Sequence, residues 1–412
     1  MLEALRVRDF RLLWVGRSVS LLGSWLLTVA VPAHVLQLTG SLMATGLTLA
    51  AEYLPVLLLG PLAGALSDRW DRRRVMLATD VFRACAVAGM LLVDSPGTVW
   101  LVYAALAAES TGSALFRPAA QAYVPAIVGT GTTLSSANAL TAGTDGIVRL
   151  IGAPLGAVLL LTFGFPTLIW IDAATYLCSA LAIFLTAHRP VLASSRRRLR
   201  EDLLDGLRVV GGARLTRWLL VVSTTFALAN GSLSALLIPL GVTELGGPRQ
   251  AGLVVSALGA GFLLGAPLIR LLVDRIQPRQ LYAGSLLCTA AGFLVLFTAN
   301  SLPVALPAAA GIGVFGSLTW AVPQTTIQRH LPNAVLGRVT AVFLSGDALA
   351  TLTGAVAGPA VAQAAGLTAL ALAACTVAVA AAALALVTLP TLATLLPDPA
   401  TLLPDPATTT PD

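Results

Sequence analysis

Charged side chains occur inside long apolar segments of this chain, where charges are costly to bury and usually serve a function. Glu52 and Glu109 have no oppositely charged residue within one helical turn of their own segment. Because burial favours the neutral form of a carboxyl, such a group can take up a proton on one side and release it on the other. We expect Glu52 or Glu109 to carry a proton, with Arg17 as a partner for either; the alternative is a structural carboxyl bonded to an arginine or a hydroxyl. Asp172 is a less favoured candidate for proton carriage, because it lies toward the outer half of its segment.

Two further pairs of charges have helical spacing. Asp80 and Arg83 are three residues apart, and Asp145 and Arg149 are four residues apart. Residues at these spacings share one face of a helix and can form an ion pair. We expect both pairs to hold the structure together and to act in gating.

The composition indicates which elements must position these charges. The 412 residues are 57% apolar and 11% charged, with a mean hydropathy of +0.87, whereas soluble proteins carry about 25% charged residues. A disordered chain, a nucleic-acid-binding protein and an ordinary cytosolic enzyme are therefore excluded, and a helical membrane protein with many spans remains. Apolar runs predict twelve spans, at 12–36, 42–66, 75–93, 97–116, 136–162, 165–186, 216–243, 249–272, 279–298, 302–322, 338–365 and 367–389.

The spans fall into two groups of six, which predicts an all-α protein with an N-terminal bundle at 1–186 and a C-terminal bundle at 216–389. Between them, 187–215 is an arginine-rich linker, and the Pro-rich tail 390–412 repeats TLLPDPA and is expected to be disordered. All 25 basic residues are arginines; 21 fall on one side of the predicted membrane and only Arg249 falls on the other. By the positive-inside rule, both termini are cytoplasmic, and we expect a bacterial inner (plasma) membrane.

The two groups of spans resemble each other in sequence. Leu134, Asp145, Gly152 and Gly156 of the fifth span are matched 202 residues later by Leu336, Asp347, Gly354 and Gly358. After the second span, Asp68-Arg69 is matched 206 residues later by Asp274-Arg275. A duplicated bundle is typical of transporters whose two halves rock around a midplane cavity. The repeat therefore predicts two pseudo-symmetric six-helix bundles.

The loop between the second and third spans carries a motif. Gly64 is followed four residues later by Asp68-Arg69, and then by Arg72, Arg73 and Arg74. This pattern resembles the loop signature of the major facilitator superfamily, with Asp71 in place of the usual second glycine. Gly64 permits close helix contact, Asp68 suits a helix N-terminus or an arginine of the other half, and the arginines suit anionic lipid.

Four further stretches, 5–14, 116–122, 137–140 and 149–156, resemble the branch of this superfamily that contains the enterobactin exporter and macrolide and multidrug efflux pumps. The resemblance implies the major facilitator fold and a secondary active antiporter. It would export amphiphilic small molecules (drugs, macrolides or siderophore-like compounds) in exchange for protons. Spans 1, 4, 7 and 10 line the cavity in this superfamily, which implies substrate contacts at Trp25, Phe226, Asn230 and Trp320, although each also suits helix packing or a membrane interface.

Other functions are left open or excluded by the residues present. A lipid or lysophospholipid flippase of the same fold and a non-transporting receptor or scaffold are the alternatives. The chain has no lysine, hence no nucleotide-binding loop of the Gly-x4-Gly-Lys type, and its histidines and cysteines are not spaced as metal ligands. We expect no enzyme activity, cofactor, metal or nucleic acid. We expect a monomer whose partners are a small-molecule substrate, protons and the lipid bilayer.

The predicted orientation can be tested by labelling single cysteines in intact cells, with the four native cysteines replaced. A membrane-impermeant thiol reagent is expected to label Ser95→Cys, in a predicted outer loop, and not Ser195→Cys, in the arginine-rich linker. Labelling of both positions after permeabilisation is the control. Labelling of Ser195→Cys alone in intact cells would show that the protein has the opposite orientation, with the linker outside the cell.

Overall fold

The helices of the protein follow the predicted apolar runs. A computed structural model describes residues 4–67, 70–129, 132–187, 210–212, 214–273, 275–330 and 333–389. Within these ranges twelve segments are long and apolar enough to cross a membrane, one for each predicted span. Their helices are α1 (Arg8–Thr39), α2 (Leu42–Ser67), α3 (Arg72–Ala88), α4 (Trp100–Val128), α5 (Thr132–Phe163), α6 (Phe165–Phe184), α7 (Arg214–Ser234), α8 (Pro248–Leu272), α9 (Pro278–Phe297), α10 (Leu302–His330), α11 (Asn333–Ala365) and α12 (Leu367–Thr388).

The seventh span contains two helices rather than one. After α7 the chain makes a tight turn, in which the Leu236 amide donates to the Leu233 carbonyl (3.1 Å). A short helix, Leu237–Thr243, then completes the crossing. Hydropathy predicts one continuous span, 216–243, because the residues on both sides of the turn are apolar.

Several helices are longer than the predicted spans. The fourth span is predicted to end at residue 116, but α4 continues through Arg117 to Val128, and α10 continues past 322 to His330. At about 1.5 Å per residue, the 29 residues of α4 exceed the roughly 30 Å of a bilayer's apolar core. An apolar run stops at the first charge, whereas the helix continues because its backbone hydrogen bonds do not depend on hydropathy.

The same packing pattern occurs in both groups of six helices. In the N-terminal half α1 packs against α5 and α6, α4 against α2 and α3, and α3 against α6. In the C-terminal half α7 packs against α11 and α12, α10 against α8 and α9, and α9 against α12. Gly164 and Gly366, which precede α6 and α12 with φ values of 77° and 89°, are likewise 202 residues apart. The prediction of two pseudo-symmetric bundles is confirmed.

The two halves contact each other through two helix pairs, α2 with α11 and α5 with α8. Near the turn between α1 and α2, the Gln363 amide donates to the Ser41 hydroxyl (3.1 Å), and Gly46 packs closely against Pro359. The short helix Leu237–Thr243 also contacts α1. We call this end of the molecule, defined by Ser41, Gly46, Pro359 and Gln363, the closed side.

Part of the loop motif lies outside the described residues, as do the linker segment 188–209 and the whole tail 390–412. Asp68 and Arg69 of the motif are not among the described residues, while Gly64 belongs to α2.

Arg73 donates to the Ile183 carbonyl (3.2 Å) and to the Phe184 carbonyl at the end of α6. Arg72 donates to the Ala122 carbonyl of α4 (3.0 Å). These two arginines therefore join α3 to its neighbours, and Arg73 does so at the last turn of α6.

Glycines at equivalent positions let α5 and α11 approach the first helix of their half. A Cβ atom on Gly156 would lie 2.2 Å from the Leu26 carbonyl oxygen of α1, and one on Gly358 would lie 2.6 Å from the Ser232 carbonyl oxygen of α7. A side chain fits at such distances only if the backbone moves. The small residues shared by the sequence repeat thus permit close helix packing.

We expect Gly156→Leu to lower the free energy of unfolding by about 1–3 kcal/mol, because the new side chain overpacks the contact between α1 and α5. Gly143→Leu is the matched control on α5, since a Cβ there meets no atom within 4 Å. Thermal unfolding of the purified variants in detergent measures the difference. Equal melting temperatures for the two variants would contradict the close approach.

Candidate functional site

A cluster of polar and charged side chains lies inside the N-terminal half. Its members come from three helices: Asp80 and Arg83 from α3, Glu109 and Ser113 from α4, and Asp172 and Tyr176 from α6. Asp80, Asp172 and Tyr176 are almost completely buried. We call these six residues the N-half cluster.

Glu109 is held by two hydroxyl groups. Its Oε1 accepts a hydrogen bond from the Tyr176 hydroxyl (2.7 Å) and one from the Ser113 hydroxyl (2.8 Å). The Tyr176 hydroxyl also lies 2.9 Å from the Ser24 hydroxyl of α1. Glu109 itself is half-buried. A hydrogen-bonded chain therefore runs from α4 through α6 to α1.

Arg83 supplies the positive charge of the cluster. Its guanidinium forms an ion pair with Asp80 and donates to the Ser113 hydroxyl (3.2 Å). It also lies over the rings of Phe116 and Tyr176, 4.4 Å from each centroid, within the range of cation–π attraction. The structure thus contains the Asp80–Arg83 pair that the spacing predicts, inside a larger network.

Asp172 is a carboxyl with no cation bonded to it in the described part of the chain. It is 1% exposed, and its Oδ1 accepts a hydrogen bond from the Thr175 hydroxyl (3.3 Å). It interacts electrostatically with Glu109 and Arg83. From its sequence position, Asp172 is a weaker candidate than Glu52 and Glu109. The packing of α6 against α1 and α3 brings it into this cluster, and nothing in its local sequence indicates that contact.

Glu52 lies outside the cluster but near it. Its side chain is exposed, and it interacts electrostatically with Glu109 and Arg117 of α4. Leu54 is two residues further along and therefore on the opposite face of α2, where it is also exposed. Glu52 and Leu54 thus lie on opposite faces of α2.

Two sequence-based pairings are wrong. Arg17 does not bond Glu52 or Glu109; its guanidinium forms an ion pair with Asp145 of α5 (2.7 Å). Asp145 is therefore paired with Arg17 rather than with Arg149, whose guanidinium lies 5.5 Å from the ring centroid of Trp25. The physical reason is that α1 packs against α5, which offers Asp145 a partner on another helix that the sequence does not indicate.

The C-terminal half contains a cavity of about 120 Å³. Three of the four residues expected to contact a substrate, Phe226, Asn230 and Trp320, line it together. Trp25 does not; it packs against Gly152 and beneath Arg149. The complete lining consists of uncharged residues from α7, α8, α9 and α10: Phe226, Asn230, Ser234, Leu258, Phe262, Thr289, Phe293, Ile312, Gly316 and Trp320.

Known proteins share this sequence and fold. Residues 1–410 match the protein family described as Transmembrane secretion effector. The multidrug efflux pump Tap of Mycolicibacterium fortuitum is 29% identical over 365 residues, 85% of this chain and 88% of that protein. Macrolide efflux protein A of Streptococcus pyogenes is 24% identical over 271 residues, 64% of this chain and 66% of that protein.

Solved transporter structures have the same architecture. The crystal structure of the nucleoside transporter NupG matches 94% of this chain and 99% of its own with a TM-score of 0.74 at 12% identity. A D-xylose–proton symporter matches 92% of this chain and 98% of its own with a TM-score of 0.72 at 15% identity. The chain belongs to the transmembrane secretion effector family of the major facilitator superfamily, whose members are multi-pass membrane transporters and not enzymes.

Proposed function

We propose that this protein exports amphiphilic organic molecules in exchange for protons, by alternating access. One observation carries the proposal: the N-terminal half encloses three carboxyl groups, Asp80, Glu109 and Asp172, around the single guanidinium of Arg83. The names of the relatives, a multidrug efflux pump and a macrolide efflux protein, support export and this class of substrate.

The charge balance of the N-half cluster supports proton coupling. With all carboxyls ionised, three negative charges would face one positive charge in a region that excludes most water, at a high cost in free energy. A proton bound to one of these carboxyls would lower that cost. Asp80 is ion-paired and Asp172 is enclosed, whereas Glu109 is half-buried. Glu109 is accordingly the member that exchanges its proton with water.

Glu52 is suited to pass protons to this cluster. It is exposed, and the charges of Glu109 and Arg117 both act on it. Arg17 has no part in the proton route, because it forms an ion pair with Asp145. The proton route thus involves Glu52 and Glu109, with Tyr176 and Ser24 as the hydrogen-bonded continuation toward α1.

The contacts between the halves support alternating access. Two hydrogen bonds join the halves among the side chains that the structure describes, Gln363 with Ser41 and Ser256 with the Leu150 carbonyl. The first of these lies at the closed side. If the arginine distribution gives the orientation, the closed side faces outward and the protein is ready to accept substrate from the cytoplasm. The aromatic and amide surfaces of Phe226, Asn230 and Trp320 suit an amphiphile.

Replacing the proposed proton carrier separates coupling from movement. In proteoliposomes, Glu109→Gln is expected to lower transport of the amphiphilic dye rhodamine 6G driven by a proton gradient at least tenfold, because the amide cannot exchange a proton. Downhill dye flux without a gradient should stay within about twofold of wild type. Glu244→Gln, at an exposed glutamate beyond the short helix of the seventh span, is the matched control.

Full gradient-driven transport by Glu109→Gln would exclude Glu109 as the proton carrier. Competition of lysophospholipid with rhodamine 6G transport would favour the flippase alternative.

Locking the closed side tests alternating access. In a background without native cysteines, Gly46→Cys with Pro359→Cys is expected to form a disulfide, because a Cβ on Gly46 would lie 3.2 Å from the Pro359 Cβ of the other half, close to the separation in a disulfide. Oxidation should stop rhodamine 6G transport and reduction should restore it, whereas either single variant should be insensitive to oxidant. Undiminished transport by the cross-linked protein would show that the halves need not separate there.

A further inference from the structure

The cavity of the C-terminal half lies within one bundle rather than between the two. Thr289 and Phe293 belong to α9, which packs mainly against α10 and α12 of its own half, and both are almost fully buried. At the other end, Trp320 and Phe262 are 57% and 36% exposed. The cavity is therefore a recess, with its mouth at Trp320 and Phe262 and its floor at α9.

The recess occupies the position at which the N-terminal half holds its charged cluster. Asn230 and Thr289 lie 206 residues after Ser24 and Arg83, the offset by which Asp274-Arg275 follows Asp68-Arg69. The long charged side chain of Arg83 thus has a short uncharged residue, Thr289, as its counterpart in the C-terminal half, and Thr289 lines the recess.

The chemistry of the recess selects against charge. None of its ten lining residues is charged, and four are aromatic, so an ionised ligand would be desolvated without a partner. The Asn230 amide makes no hydrogen bond with the described residues, and it can both donate and accept. The Thr289 hydroxyl donates to the Ser285 carbonyl (2.8 Å), which leaves its oxygen free to accept. The recess measures about 120 Å³, less than the closed cavity of about 150 Å³ that holds benzene, but its open mouth lets part of a ring extend past Trp320 and Phe262.

We propose that this recess is a binding site for an uncharged aromatic ring that bears a hydroxyl or amide substituent. The ring lies among Phe226, Phe293 and Trp320, and its substituent bonds the Asn230 amide. The binding itself stands independently, but its role, holding the ring-bearing end of an exported molecule, rests on the proposed transport function. The C-terminal half would then recognise substrates by an uncharged aromatic group.

Binding of p-cresol to the purified full-length protein in lipid nanodiscs tests the site, by calorimetry. A Cβ on Gly316 would lie 3.5 Å from the Phe262 ring, an ordinary contact, so the longer side chain of Gly316→Leu extends into the recess. Gly311→Leu is the matched control on α10, since a Cβ there meets no atom within 4 Å. Wild type and Gly311→Leu are expected to bind p-cresol saturably, and Gly316→Leu at least tenfold more weakly.

Chemical specificity gives a second test that does not depend on filling the recess. Asn230→Leu is expected to weaken p-cresol binding about fivefold, the value of one hydrogen bond, and to leave toluene binding unchanged. Tyramine and 4-hydroxyphenylacetate, which carry a charge, should bind wild type at least tenfold more weakly than p-cresol.

Three results would overturn the site: no saturable binding of p-cresol to wild type, equal binding by Gly316→Leu and Gly311→Leu, or charged relatives that bind as tightly as p-cresol. Melting temperatures establish that each variant is folded. Rhodamine 6G flux is measured on the same preparations. Flux without p-cresol binding overturns the recess alone, whereas p-cresol binding without any proton-driven flux overturns the transport proposal alone.

Discussion

The interior of the N-terminal half depends on one buried guanidinium. Arg83 is bonded to Asp80 on its own helix and to Ser113 of α4, and it stacks on the Tyr176 ring of α6. Because a buried cation needs compensation from every direction, these contacts fix how α3, α4 and α6 lie against each other. Gly112 makes room for the side chain, since a Cβ there would lie 2.6 Å from the Arg83 Cγ. The same cation has three carboxyl groups around it, Asp80, Glu109 and Asp172, so negative charge exceeds positive charge in the interior of this half if all three are ionised.

The two halves share a backbone plan but differ in their interior chemistry. In the first half Asp145 is paired with Arg17, whereas its repeat equivalent, Asp347, accepts a hydrogen bond from the Ser223 hydroxyl (2.9 Å). The cluster around Arg83 is likewise replaced by a neutral, aromatic-lined recess. Duplication therefore preserved the glycines that set helix spacing, such as Gly156 and Gly358, while the side chains between the helices diverged. Charged groups dominate the interior cluster of the N-terminal half, whereas uncharged and aromatic groups line the recess of the C-terminal half.

Hydropathy predicts the fold almost completely, because each span must satisfy its own backbone and present apolar side chains to lipid. The twelve segments follow from that constraint alone, whereas the repeat is seen in residues that recur 202 positions apart, such as Asp145 and Asp347. Partner choice does not follow from it. The sequence suggests Asp145 with Arg149 because they share a helix face, yet α1 brings Arg17 closer. The electrostatic interaction between Asp172 and Glu109 cannot be predicted for the same reason, because the two residues lie on different helices, α6 and α4. Superfamily resemblance named Trp25, Phe226, Asn230 and Trp320 together, and the last three line one cavity, but it did not indicate that this cavity lies inside a single bundle.

The interruption of the seventh span has a mechanical consequence. Ser234, at the end of α7, lines the recess. Three residues later the short helix Leu237–Thr243 begins, and it packs against α1 and α8. The turn at Ala235 and Leu236 divides the span into a segment that belongs to the recess and a segment that belongs to the seam between the bundles. A tilt of the short helix can therefore part the seam while the residues around the recess keep their positions. Such a joint would separate the opening of the seam between the bundles from any change in the shape of the recess.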